Sequence, residues 1–105
     1  ISEPSIKRFY IVMSTLWREE IDIIELQDRC EEIARQLQEI EGWLYTEFSD
    51  AAKFKSFITK LLEDSYIKEN TNNKLSASRI TTRVQKEFQQ FFNQEFMNEV
   101  NRLNL

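Results

Sequence analysis

The stretch DIIELQDRCEEIARQLQEIEG, residues 22–42, carries the clearest folding signal in this chain. Asp22 and Glu25 match a capping box, in which two side chains satisfy free backbone N–H groups at the start of a helix. Gly42 fits the position after the last turn, because glycine adopts the left-handed conformation without steric cost. Between them, apolar residues recur every three or four positions, the spacing of one buried helix face: Ile23, Leu26, Cys30, Ile33, Leu37 and Ile40.

A second helix is predicted upstream, over residues 3–18. Ser2 is its predicted N-cap, and Pro4 stands in the first turn, where the missing N–H is tolerated. The apolar residues of this segment cover more than one face, which predicts a central helix: Ile6, Phe9, Tyr10, Ile11, Val12, Met13, Leu16 and Trp17.

A third helix and a hairpin are predicted downstream. Thr46 or Ser49 can cap the helix, which should fade near Asp64. Two short β-prone pieces, residues 66–68 and 74–76, flank an asparagine-rich turn and predict a small hairpin. The apolar stripe of the third helix consists of Phe54, Phe57, Ile58, Leu61 and Leu62.

Ser76 or Ser78 can cap the last helical region, which extends to Leu103. It is either one long helix or two with a bend near Asn93, and we favour the bend because asparagine has poor helix propensity. The chain is therefore predicted to be mainly α, a bundle of four or five helices with a small β-hairpin, in the outline of a winged helix. The predicted core consists of Phe9, Met13, Leu16, Ile33, Leu37, Ile40, Phe54, Phe57, Ile58, Leu61, Val84 and Phe88.

The composition of the chain excludes most ready-made chemistries. The 105 residues suit one domain, 1–105, and include no histidine, one glycine, one proline and one cysteine. A histidine base, a two-cysteine metal site and a glycine-rich phosphate loop are therefore all missing from the sequence. The chain begins with Ile1, so we expect a fragment of a larger protein. No apolar run approaches the length of a membrane span, and we expect the fragment itself to be soluble.

The sequence supplies no catalytic, cofactor-binding or metal-binding residue, and no cofactor is expected. Three acidic pairs, Glu19–Glu20, Glu31–Glu32 and Glu63–Asp64, lie at the edges of apolar stripes, where carboxylates stay solvated. Cys30 lies inside a stripe and is interpreted as a small core residue.

Two surfaces are weighed as binding surfaces. In a winged helix, residues 50–64 would be the recognition helix, although the net charge of −4 makes nucleic acid an unlikely partner. The second surface lies in the last helical region, where basic and aromatic residues occur together. They either rest on a membrane surface or in a partner's groove, or belong to a core-facing helix with its charges outside. The residues concerned are Lys53, Lys55, Ser56, Thr59 and Lys60 in the first case, and Arg79, Arg83, Lys86, Phe88, Phe91, Phe92 and Phe96 in the second.

Two blocks of the chain, SIKRFYIVMSTLWR at residues 5–18 and CEEIARQLQEIEGWLYTEFSDAAKFKSFITKLLEDSYI at residues 30–67, resemble the C-terminal region of the bacterial membrane-bound glycerol-3-phosphate 1-O-acyltransferases. The chain departs from the family's Pro-Glu-Phe-Phe-Asp turn, because Thr46 and Ser49 stand in place of Pro and Phe. The other matching positions are Arg8, Phe9, Tyr10, Cys30, Ala34, Gly42, Glu47, Phe48, Asp50, Phe54, Phe57, Leu62, Lys74 and Leu75.

The resemblance implies a parent enzyme that transfers an acyl chain to glycerol 3-phosphate in phospholipid synthesis, at the cytoplasmic side of the inner membrane. The family's catalytic His-x4-Asp motif is absent here, so no catalytic residue is carried over. The implied role is a non-catalytic helical domain whose first partner is the rest of the parent acyltransferase. The membrane surface and a second copy of the chain remain open as partners, and a winged-helix regulator or a helical adaptor remain alternative functions.

Overall fold

The computed structural model describes residues 3–41, 51–83, 87, 90 and 94–104. Within these residues the chain forms five helices and one two-stranded antiparallel hairpin, which confirms the predicted class. The helices are α1 (Glu3–Leu16), α2 (Ile23–Glu41), α3 (Ala51–Glu63), α4 (Arg79–Arg83) and α5 (Gln94–Leu103), and the strands are β1 (Ile67–Glu69) and β2 (Leu75–Ala77).

Helix α1 is the central helix that its wide apolar stripe predicts, and every side chain from Tyr10 to Leu16 is buried. It ends at Leu16, two residues before the predicted end. The N–H groups of Arg18 and Glu19 both bond to the carbonyl of Thr15, at 3.1 and 3.2 Å, and this tightened turn leads the chain out of the helix. The predicted cap Ser2 lies outside the described residues.

Helix α2 begins at the predicted cap. The backbone N–H of Glu25 donates to the Asp22 carboxylate at 2.9 Å, which satisfies one of the free donors of the first turn. The Glu25 side chain lies 3.5 Å from Arg29 in an ion pair. Ile23 is partly buried, Gly42 and the Ile40 side chain lie outside the described residues, and four members of the stripe are buried: Leu26, Cys30, Ile33 and Leu37.

Helix α3 leads into the hairpin as predicted, ending at Glu63. Its proposed caps, Thr46 and Ser49, lie outside the described residues. In the hairpin Ile67 pairs with Ala77 and Glu69 with Leu75. Ile21, between α1 and α2, also pairs with Leu75, through N–H···O bonds of 3.3 and 2.6 Å. This third pairing ties the start of α2 to the hairpin and completes the connectivity of the predicted winged-helix outline.

The last helical region contains α4 and α5. Ser78 directly precedes α4 and its carbonyl accepts the Thr82 N–H at 3.0 Å, whereas Ser76 lies in β2. The predicted bend near Asn93 falls outside the described residues, together with Val84 and Phe88. Helix α5 contacts α1 and α2 and buries Phe96, Met97 and Val100.

The predicted core is mostly confirmed. The prediction of full burial is wrong for Phe9 and Phe57, because both are only partly buried. The Phe9 ring packs edge-on against the half-exposed ring of Tyr66, with centroids 6.0 Å apart. Seven predicted members are buried: Met13, Leu16, Ile33, Leu37, Phe54, Ile58 and Leu61. Among the described helices, none combines the length and the apolar character needed to cross a bilayer.

Candidate functional site

The acidic pairs weighed as catalytic groups are dispersed over the surface. Glu19 forms an ion pair with Arg29 at 2.5 Å, and Asp64 lies 3.6 Å from Lys60. Glu32 binds Arg35, and this hydrogen bond holds the pKa of the Glu32 carboxyl below its usual range. These carboxylates are solvated and serve local ion pairs. The described part of the chain contains no group of three or more histidine, cysteine or acidic residues that could hold a metal ion.

Cys30 is a core residue, as predicted. Its side chain is fully buried in α2, and burial raises the pKa of the thiol well above its usual range. A thiol that stays protonated is a poor nucleophile and a poor metal ligand. The cysteine therefore contributes packing.

A seam of polar side chains joins α1 to α5. The amide of Asn104 accepts from the Thr15 hydroxyl at 3.1 Å and donates to the Ser14 hydroxyl at 3.2 Å. The side-chain amide of Asn101 donates to the Tyr10 hydroxyl at 3.3 Å, and the backbone carbonyl of Asn101 accepts from the Arg18 guanidinium at 3.3 Å. We call Tyr10, Ser14, Thr15, Asn101 and Asn104 the α1–α5 seam.

The α1–α5 seam is suited to holding helices together. Its hydroxyl groups face amides instead of a carboxylate or an amine, so no member of the seam could take a proton from Ser14 or Thr15. Burial raises the pKa of Tyr10, which outweighs the opposing hydrogen bond from Asn101 and keeps the phenol neutral. Sequence reasoning missed this seam. The signal was present in the pair Asn101 and Asn104, which flank the apolar positions of an amphipathic helix.

The residues of the two proposed binding surfaces differ in their exposure. The described α3 side chains that were assigned to a recognition helix are exposed, and Lys60 is paired with Asp64. In the last region Arg79 and Arg83 are exposed, whereas Phe96 is 4% exposed and is a core residue. This burial agrees with the core-facing alternative for Phe96 and contradicts the docking alternative. The Phe96 ring packs against Tyr10, with centroids 5.7 Å apart. The remaining members of the two surfaces lie outside the described residues: the Lys53 side chain, Lys86, Phe88, Phe91 and Phe92.

The fold defines a small helical module with a β-hairpin, in which the α1–α5 seam and the ion pairs described above make structural contacts. The family model of the glycerol-3-phosphate acyltransferase C-terminal region matches residues 1–70. The chain belongs to this family, which confirms the resemblance seen in its sequence. No curated protein and no solved structure matches the chain. The matched segment contains α1, α2, α3 and β1, whereas β2, α4 and α5 follow it.

Proposed function

We propose that this chain is a non-catalytic C-terminal helical domain that packs against the acyltransferase portion of its parent. The observation that carries the proposal is the family match over residues 1–70, in a chain without histidine. The polar groups of the described residues support a structural role, since the Cys30 thiol is buried and the hydroxyls of the α1–α5 seam face amides. The parent would transfer an acyl chain to glycerol 3-phosphate at the cytoplasmic side of a bacterial inner membrane.

The test uses the upstream acyltransferase portion, expressed with and without this chain. We expect the chain alone to transfer no acyl group from acyl-CoA to glycerol 3-phosphate. We expect the upstream portion to bind the chain, to co-purify with it and to lose activity or solubility in its absence. Acyl transfer by the chain alone would overturn the non-catalytic role. Full activity of the upstream portion, together with failure to bind the added chain, would overturn the packing role.

A winged-helix regulator is the second candidate, and the pairing of Ile21 with Leu75 favours it because it completes that connectivity. Its predicted signature is salt-dependent duplex binding that weakens when Lys53 and Lys55 are replaced by alanine. Absence of duplex binding at low salt would remove this candidate.

A helical adaptor is the third candidate. A stable dimer in solution, broken by a polar substitution at Phe92, would support it. Phe96 is unsuitable for that test, because its burial means that a polar substitution would disturb the core.

A further inference from the structure

The hairpin has one open edge. Ile21 pairs with Leu75 of β2, through N–H···O bonds of 3.3 and 2.6 Å, so β2 lies between Ile21 and β1. Strand β1 is therefore the outer strand of this small sheet. An outer strand exposes backbone N–H and C=O groups that another extended chain can bind as an added strand.

Two backbone hydrogen bonds mark the ends of the hairpin ladder. The Ser78 N–H donates to the Tyr66 carbonyl at 3.0 Å just before β1, and the Asn70 N–H donates to the Lys74 carbonyl at 2.9 Å just after it. Hydrogen-bonded and non-hydrogen-bonded pairs alternate along an antiparallel ladder. Every second pair, counted from either end, is therefore hydrogen-bonded.

This alternation decides which backbone groups of β1 face the open edge. Lys68 lies two residues from both bonded ends, so its N–H and C=O groups face β2. Ile67 and Glu69 stand on either side of it, and their N–H and C=O groups face outward. Within the part of the chain that the structure describes, these outward groups have no hydrogen-bond partner. Strand β1 therefore offers two N–H donors and two C=O acceptors to an added strand.

The side chains of β1 set what an added strand must carry. Ile67 is buried in the core, whereas Lys68 is exposed on the opposite face of the hairpin. Lys68 forms no ion pair with another described residue. An added strand would meet Lys68 in a non-hydrogen-bonded pair, in which the Cα atoms are about 4.5 Å apart and the side chains lie close. A carboxylate in that position attracts the lysine, and a cation repels it.

A second copy of β1 does not meet these requirements. In the antiparallel register that forms all four bonds, Lys68 lies opposite Lys68 of the second copy, and like charges in that position destabilise the pair. A shift in one direction places Glu69 opposite Glu69 of the second copy. A shift in the other direction requires Ser65 as a strand residue, but Ser65 has a φ of 65° and its N–H donates to the Leu62 carbonyl at 3.2 Å. The edge is therefore protected against pairing with itself.

We propose that the outer edge of β1 binds an extended segment of another polypeptide that carries a carboxylate opposite Lys68. The backbone groups of Ile67 and Glu69 hold the segment as an added strand, and Lys68 selects it by charge. The inference does not depend on the proposed function, because it concerns a surface of the isolated 105-residue chain and is tested without the acyltransferase portion.

The test is an NMR titration of the isotope-labelled chain with two acetylated and amidated peptides, Thr-Val-Glu-Val-Thr and Thr-Val-Lys-Val-Thr. We expect the glutamate peptide to shift the amide resonances of Ile67 and Glu69 and to slow their hydrogen exchange, because these N–H groups gain an acceptor. It should bind roughly threefold or more tightly than the lysine peptide, because an attractive cross-strand pair replaces a repulsive one. The glutamate peptide methylated on both valine nitrogens should not bind, since it lacks the donors for the outward carbonyls of β1.

Charge reversal tests the role of Lys68. Lys68→Glu should reverse the preference, so that the lysine peptide binds roughly threefold or more tightly than the glutamate peptide. Lys74→Glu is the matched control, because it changes the net charge equally but lies beside β2, one strand further from the edge. It should keep the preference for the glutamate peptide. Circular-dichroism melting shows that both variants are folded.

Several results would overturn this proposal. One is the absence of shifts at Ile67 and Glu69 with the glutamate peptide at concentrations on the order of a few millimolar. Equal binding by the methylated peptide would exclude strand addition, and an unchanged preference in Lys68→Glu would exclude selection by charge. Dimerisation of the unsubstituted chain, with the same shifts in the absence of peptide, would assign the edge to a second copy instead.

Discussion

At the scale of the residue, Cys30 shows how burial decides chemistry. The same side chain could be a nucleophile or a metal ligand on a surface, but in the stripe of α2 it is fully buried. Desolvation disfavours the thiolate and raises the pKa of the thiol, and the nearby Arg29 charge offsets only part of this effect. The thiol of the folded chain therefore stays neutral at pH values where that of the unfolded chain ionises.

This difference predicts a stability that declines at alkaline pH. Below the ordinary thiol pKa of 9.0, both states hold the proton and the free energy of unfolding does not depend on this group. Above it, only the unfolded state releases the proton, so stability falls by about 1.4 kcal/mol per pH unit. Urea unfolding is measured for the unsubstituted 105-residue chain and for Cys30→Ala between neutral pH and about pH 10. The difference between their free energies of unfolding isolates the effect of the thiol. A difference that stays constant above pH 9 would contradict the prediction.

At the scale of the element, the hairpin owes its turn to asparagine chemistry. The Asn70 side-chain oxygen accepts the N–H groups of Asn72 and Lys74, at 2.9 and 3.0 Å, and Asn73 adopts a φ of 61°. Asparagine tolerates this left-handed conformation better than other residues that carry a Cβ. The turn sets the register that places Lys68 and Lys74 on one face of the hairpin.

Substitution of Asn73 should separate backbone conformation from side-chain contacts. Asn73→Ala should lower the free energy of unfolding by about 1 kcal/mol, because a Cβ opposes positive φ. Asn73→Gly should leave it within about 0.5 kcal/mol, since glycine adopts this conformation freely. Asn72→Ala is the matched control and should have an effect below about 0.5 kcal/mol. Thermal or urea unfolding measures all three, and equal losses for alanine and glycine at position 73 would show that the side chain acts through contacts.

At the scale of the whole molecule, the α1–α5 seam joins two helices that are far apart in the sequence. Asn104 and Ser14 are 90 residues apart in sequence, and Asn101 and Tyr10 are 91 apart. Together with the burial of Phe96 and Val100, the seam makes α5 part of the same core as the family-matched segment. Residues beyond position 70 therefore contribute to the same core as the matched segment.

Asn104→Ala should destabilise the domain by about 1–3 kcal/mol, because Ser14 and Thr15 would lose a partner at a part-buried site. Asn98→Ala is the control: among the described residues the Asn98 side chain bonds only to Gln94, on the exposed side of α5, and its loss should cost less than about 0.5 kcal/mol. Urea unfolding gives the energies, and faster amide hydrogen exchange in α5 shows whether the helix detaches. Equal costs for the two variants would show that the seam contributes no more than a surface contact.

Local signals in the sequence were sufficient to predict the helices and the hairpin of this fold. The Asp22 cap, the stripe of α2 and the asparagine-rich turn each act over a few residues, so each could be recognised without knowledge of the rest of the chain. The family could also be recognised from the sequence, because it depends on the order and spacing of residues in α1, α2 and α3.

Only the tertiary structure decided which neighbours these elements meet. The burial of Phe96, the pairing of Ile21 with Leu75 and the α1–α5 seam all join residues far apart in the chain, and no local pattern specifies such partners. Sequence determined the helices and the hairpin through local propensity and periodicity, and long-range packing decided which of their faces became core and which became surface.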